Sequence, residues 1–121
     1  MHKNTSSKTV HITAPKVTVG ETSIKSVALL IHELATNSLK YGALSQETGR
    51  LVLTCMENED QVQVDWQEHS ASPPNEVTEY NGFGSEMMER IIQQVNGSIS
   101  RDWTDDGLRV SLRMSKALLS A

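Results

Sequence analysis

His32-Glu33-Leu34-Ala35-Thr36-Asn37-Ser38-Leu39-Lys40-Tyr41-Gly42-Ala43-Leu44-Ser45 is the most informative stretch of the chain. It closes a longer pattern. From Val27 onward Val27, Leu30, Ile31, Leu34, Ser38 and Tyr41 fall on one face of a helix that turns about 100° per residue. Thr22 or Ser23 suits the N-cap, because a hydroxyl there can accept a free N–H of the first turn. Gly42 ends the helix. Glu33, Asn37 and Lys40 are spaced i, i+4, i+7 and share a face beside the apolar one. A carboxylate, an amide oxygen and an ammonium in a row can polarise a hydroxyl, hold Mg2+ and touch phosphate. The same spacing also suits a solvated face with one charge pair.

Outward from this helix the chain alternates. Upstream, Val10 and Ile12 alternate with polar residues from Thr9 to Ala14, a short strand stopped by Pro15, and Lys16 to Val19 is a candidate continuation beyond a turn. Downstream, Arg50 to Glu57 and Gln61 to Trp66 alternate on either side of Asn58-Glu59-Asp60, the pattern of an antiparallel hairpin. His69 to Tyr80 holds two prolines and two serines and has no period, so it reads as a long loop. Gly82-Phe83-Gly84-Ser85 opens a second helix, with Met88, Ile91, Ile92 and Val95 on its face and Gly97 after its end. Ser98 to Trp103 and Leu108 to Met114 form a last hairpin, with Asp106-Gly107 as its turn signal. This order predicts an α+β fold: a two-layer α/β sandwich whose mixed, mostly antiparallel sheet carries its helices on one face. Residues 9–117 make one domain, between a flexible segment 1–8 and a C-terminal tail 118–121.

Composition narrows the function. A chain of 121 residues with 37% apolar residues fits a single domain. Its longest apolar run, Val27 to Ile31, falls far short of the ~20 residues of a membrane helix, and no membrane contact is expected. The start, MHKNTSSKTV, has no apolar signal core. The lone Cys55 cannot form an internal disulfide, so a reducing cytoplasm is the default, and it reads as a small core residue rather than a nucleophile. A net charge of −4 argues against a general nucleic-acid surface, but not against a nucleotide ligand, whose phosphates are held by local donors and a metal ion.

Two further constellations carry possible chemistry. Gly82, Gly84 and Ser85 at a helix start can let backbone N–H groups and a hydroxyl approach an anion. A tight turn with a serine cap has the same sequence, and Glu86 and Glu89 nearby would weakly repel phosphate. Trp66-Gln67-Glu68 ends a strand just before the long loop. Its carboxylate could accept from an exocyclic amine; a strand ending in a polar residue is the plainer alternative. His32 and His69 have no partners at metal-ligand spacing. Trp66 and Trp103 suit packing better than base stacking, since aromatics make up only 4% of the chain.

Taken together, these residues resemble one family. The run His32 to Ser45 is similar, almost residue for residue, to the N box of HWE-type sensor histidine kinases. That family takes its name from a histidine in this box and a later W-x-E, here His32 and Trp66-Gln67-Glu68. Gly82-Phe83-Gly84-Ser85 with Met88-Glu89-Arg90 resembles its second glycine box. Gly97, Arg101-Asp102-Trp103 and Gly107-Leu108 resemble its closing hairpin. The resemblance covers about Thr9 to Ala117.

It implies the Bergerat (GHKL) ATP-binding fold and a catalytic domain of a two-component system that binds ATP and Mg2+. By the same resemblance Asn37 coordinates Mg2+, Glu33 is the base or polarising carboxylate, and Lys40 and Tyr41 lie near the phosphates or the nucleotide edge. Glu68 stands where relatives place the acid that reads the adenine amine. Gly82, Phe83, Gly84 and Ser85 line the phosphates, and His69 to Asn81 is the ATP lid, expected to be mobile without nucleotide. One departure concerns the adenine end: His69-Ser70-Ala71-Ser72-Pro73-Pro74 stands where the family has paired glycines and a proline. The phosphoacceptor histidine on its helical hairpin is expected outside this chain, on the same or a partner protein. A degenerate module that binds nucleotide weakly and docks a response regulator is the alternative. A serine kinase of the anti-sigma type on the same fold is a third, less suited to the W-x-E.

Overall fold

The computed structural model describes residues 8–70 and 83–121, with only the backbone for Phe83, Gly84 and Ser85. The lid beyond Ser70, Gly82 and most of the N-terminal segment lie outside the described residues. Five strands form one sheet in the order β1-β2-β3-β5-β4: β1 Thr9–Thr13, β2 Arg50–Glu57, β3 Gln61–His69, β4 Ser98–Thr104 and β5 Gly107–Ser115. β1 runs parallel to β2, and every other pairing is antiparallel. The mixed, mostly antiparallel α+β architecture is therefore as expected.

Alternation builds the two layers. In β5, Leu108, Val110, Leu112 and Met114 are buried while Arg109 and Arg113 are exposed. Side chains two apart share a sheet face, so among the described residues one face carries the apolar cover. The cover is α1 (Glu21–Tyr41) and α2 (Phe83–Gln94). Leu30 and Leu34 of α1 meet Met88, Ile91 and Ile92 of α2 in one cluster with Leu51, Val62 and Trp66 of the sheet. Each fully buried large apolar side chain contributes about 1.5–3 kcal/mol. The predicted helix faces are the observed ones, and Trp66 is a core residue, 2% exposed. Cys55 is half-buried, and burial, with the Glu57 charge, pushes its thiol pKa up, which suits an inert thiol.

Three local features differ from expectation, and a fourth adds detail to a helix end that is as expected. Lys16 to Val19 forms no strand; it follows Pro15, which has no N–H for a ladder. The N-cap of α1 is Gly20 with no side-chain cap. The Thr22 and Ser23 hydroxyls instead donate to the carbonyls of Ala121 (2.9 Å) and Leu118 (3.0 Å). Those acceptors belong to a third helix, α3 (Lys116–Ser120), and the residue after it, in part of the chain read as a tail. Leu119 anchors it at 2% exposure, Ser115 caps it, and Leu119 O accepts the Gly20 N–H at 2.9 Å. Finally, α2 is stopped by Asn96 in the left-handed region (φ 51°), which asparagine tolerates better than most residues. The neighbouring Gly97 has a different constraint: an added Cβ would lie 2.0 Å from the Arg113 carbonyl oxygen.

Candidate functional site

The C-terminal half of α1 carries Glu33, Asn37, Lys40 and Tyr41. Asn37 is 7% exposed, Glu33 and Tyr41 are half-buried and Lys40 is exposed. The gradient follows from the helix wheel: Asn37 sits closest to the buried stripe of Leu30, Leu34 and Ser38, and Glu33 and Lys40 lie further round toward solvent. A buried amide beside a half-buried carboxylate and an exposed ammonium supplies hard oxygen donors and one positive charge. Among the described residues no group of three His, Cys, Asp or Glu side chains is poised to hold a metal. Mg2+ does not need one: it is commonly held by one or two protein oxygens and completes its shell with phosphate and water. The donor set on α1 fits that habit.

Gly42 leaves the helix at φ −113° in extended backbone, with its N–H on Ser38 O at 3.0 Å. Ala43–Ser45 then forms a 3-10 turn. Ser38 is fully buried, and its hydroxyl accepts the Leu44 N–H at 3.2 Å. Glu68, near the end of β3, reaches the same turn. It is 3% exposed; Oε1 accepts the Ala43 N–H at 2.9 Å and Oε2 accepts the Trp66 indole N–H at 2.7 Å. The two ends of the predicted site are thus joined by a buried carboxylate. Spacing on a strand could show that Trp66 and Glu68 share a face; it could not show that they bond to each other and to Ala43.

Beyond Glu68 the strand end is tied on its other face. His69 Nδ1 lies 3.0 Å from Asp106 Oδ2, Thr104 Oγ1 donates to Asp106 Oδ1 at 3.1 Å, and Ser70 N–H donates to Asp106 O at 2.7 Å. The hydrogen bond with His69, then that from Thr104, holds the Asp106 carboxyl below its ordinary range. Gly107 permits the approach, since an added Cβ would lie 1.7 Å from Glu68 O. These contacts at the root of the predicted lid gave no sequence signal apart from the Asp-Gly turn. The same open face buries Asp65, which takes Arg109 Nη2 at 3.2 Å and the Ser111 hydroxyl at 3.1 Å; sequence reasoning did not single it out.

The second glycine box is only partly visible. The backbone of Phe83, Gly84 and Ser85 forms the first turn of α2, as expected; Gly82 lies outside the described residues. At its other end α2 meets the start of α1, where the Ser26 hydroxyl donates to Gln94 Oε1 at 3.3 Å. The Asn37 end of α1 and the Phe83 end of α2 both point away from that contact.

No protein-family model matches the chain. Blue-light-activated histidine kinase 1 of Erythrobacter litoralis is 32% identical over 115 residues, which are 93% of this chain. The chain spans 32% of that relative's length. Among solved structures, the histidine kinase domain of an Erythrobacter litoralis blue-light-activated histidine kinase superposes with a TM-score of 0.76 at 19% identity, covering 93% of this chain and 59% of that one. The catalytic domain of histidine kinase ThkA superposes with a TM-score of 0.67 at 17% identity, covering 91% of this chain and 80% of that one. The structural likenesses establish that the chain has the fold of histidine kinase catalytic domains, and its sequence relationship to a histidine kinase extends across nearly the whole chain.

Proposed function

We propose that the chain is the ATP-binding catalytic domain of an HWE-type sensor histidine kinase, passing the ATP γ-phosphate to a histidine on a separate acceptor domain. The observation that carries this reading is the face of α1. There a nearly buried Asn37 is flanked by Glu33 one turn before it and Lys40 one turn after. Asn37 would hold Mg2+, which when bound neutralises phosphate charge. Lys40 and Tyr41 serve the phosphates or the nucleotide edge, and the first turn of α2, with Gly82, Phe83, Gly84 and Ser85, lines the phosphates. Helix N-terminal N–H groups favour anions there. Glu33 polarises the attacking imidazole or takes its proton. Glu68 belongs to the base end. Partners are ATP, the acceptor histidine domain and, downstream, a response regulator; the setting is cytoplasmic, in keeping with the absence of any membrane-length apolar helix among the described residues.

Calorimetric titration with ATP, with and without Mg2+, tests the reading: binding that requires Mg2+ is expected. A second reading, a degenerate module that docks a response regulator, is favoured by Ser70-Ala71 in place of glycines and by the Ser70 N–H already engaged on Asp106. Absence of ATP binding at millimolar concentration would move the assignment there.

A further inference from the structure

The indole N–H of Trp66 and the backbone N–H of Ala43 converge on one side chain, Glu68, in a place closed to water. Two donors require a group that accepts at both ends. A carboxylate does so. A glutamine offers one oxygen and would turn its amino group against a donor. The turn that Glu68 grips is held from two other directions. Ser38 takes the Leu44 N–H. Gly49, just before β2, lies so close that an added Cβ would sit 1.7 Å from Ala43 O. Ala43 follows Lys40 by three residues and Asn37 by six, so whatever fixes the turn fixes the last turns of α1.

We infer that Trp66 and Glu68 form a positioning clasp that sets the end of α1, so that Glu68 acts on the nucleotide through the Gly42–Ser45 turn rather than by reading the base. The functional half of this inference rests on the proposed ATP site; the clasp itself does not. The clasp accounts for both named residues of the W-x-E spacing. Residues i and i+2 share a strand face, so the tryptophan can donate to the carboxylate while the intervening Gln67 faces the other way.

The test compares the parent chain with Glu68→Gln, Trp66→Phe and the double variant. Amide hydrogen exchange at Ala43 reports the clasp, and calorimetry compares Mg·ATP with Mg·ITP, whose base carries an oxygen in place of the 6-amino group. In E68Q, Ala43 exchange should accelerate and affinity for both nucleotides should fall by the same factor, roughly tenfold. Adding W66F removes one of the two donors, so the introduced amide can accept from Ala43 through its single oxygen, and protection there should partly return. Loss of the preference for ATP over ITP in E68Q, with Ala43 exchange unchanged, would overturn the inference in favour of direct base reading. If E68Q does not fold, W66F and the double variant decide: with one donor left, the Ala43 bond should survive in both, and a double variant that also fails to fold, or exchanges at Ala43 far faster than W66F does, would refute the clasp. A parent that binds neither nucleotide sinks the ATP-site reading, and the clasp is then judged on exchange alone.

Discussion

The C-terminal half of α1 and the end of β3 each carry a glutamate, and the fold treats them in opposite ways. Glu33 is half-buried on a helix flank beside Asn37. Glu68 lies in the core, with one oxygen on a backbone amide and the other on an indole. A carboxylate with partially open surroundings can serve a ligand. One enclosed by donors stabilises the fold first, because leaving those donors unpaired costs more than the bonds gain. Two acidic residues in two signature motifs therefore need not have the same kind of role, and enclosure separates them where residue type does not.

Substitutions should divide along the same line. The largest effect is expected at the open carboxylate. Glu33→Gln should slow phosphotransfer to an added acceptor domain by about 10²- to 10⁴-fold, the usual worth of a general base, with the melting temperature and ATP affinity nearly unchanged. Equal phosphotransfer rates would remove Glu33 from the chemistry. Glu68→Ala should instead appear in stability. It strands two buried N–H donors at about 1–3 kcal/mol each, so urea unfolding should show a loss of roughly 2–6 kcal/mol. An unchanged midpoint would mean that the carboxylate is not committed to the fold.

Asn37→Ala sharpens the comparison from the helix side. Deleting the amide oxygen should weaken Mg·ATP by about tenfold and blunt the Mg2+ dependence, as read by calorimetry. Retained affinity would contradict the metal assignment.

The smallest effect belongs to the exposed latch beside Glu68. The folded-state pKa of Asp106 is depressed below its ordinary value of 3.8 by the His69 and Thr104 hydrogen bonds. Its contribution to stability is therefore present above pH 3.8 and is lost as pH falls through the lower folded value. In His69→Ala the Asp106 carboxyl, followed by NMR titration, should move back up toward 3.8 with little change in stability at neutral pH. A titration that does not move would assign the depression to Thr104 instead.

Much of this molecule could be read without coordinates. Periodicity identified the burying faces of α1 and α2 because a helix repeats its environment every three to four residues. Alternation placed the strands for the equivalent reason. The run from His32 to Ser45 pointed to a family through its resemblance to the N box of HWE-type kinases, whereas the spacing of its polar residues also suited a solvated face. What periodicity missed depends on distant partners. The Thr22 and Ser23 hydroxyls look like caps by local rules, yet they serve carbonyls 99 and 95 residues away. Residues 116–120 look like the margin of a tail, yet Leu119 fills the core.

On its own, then, the amino-acid order determined the elements and their apolar faces, because these are set by bonds and spacings within a few residues, and it carried a motif that resembles one family's. Only the tertiary structure decided that β1 joins β2 in parallel at one edge, leaving Ile12 66% exposed, and that β5 lies between β3 and β4. Only the tertiary structure, too, showed Glu68 committed to Ala43 and Trp66. A side chain's role depends on which donors the fold brings to it, and the Ala43 donor is supplied from 25 residues away.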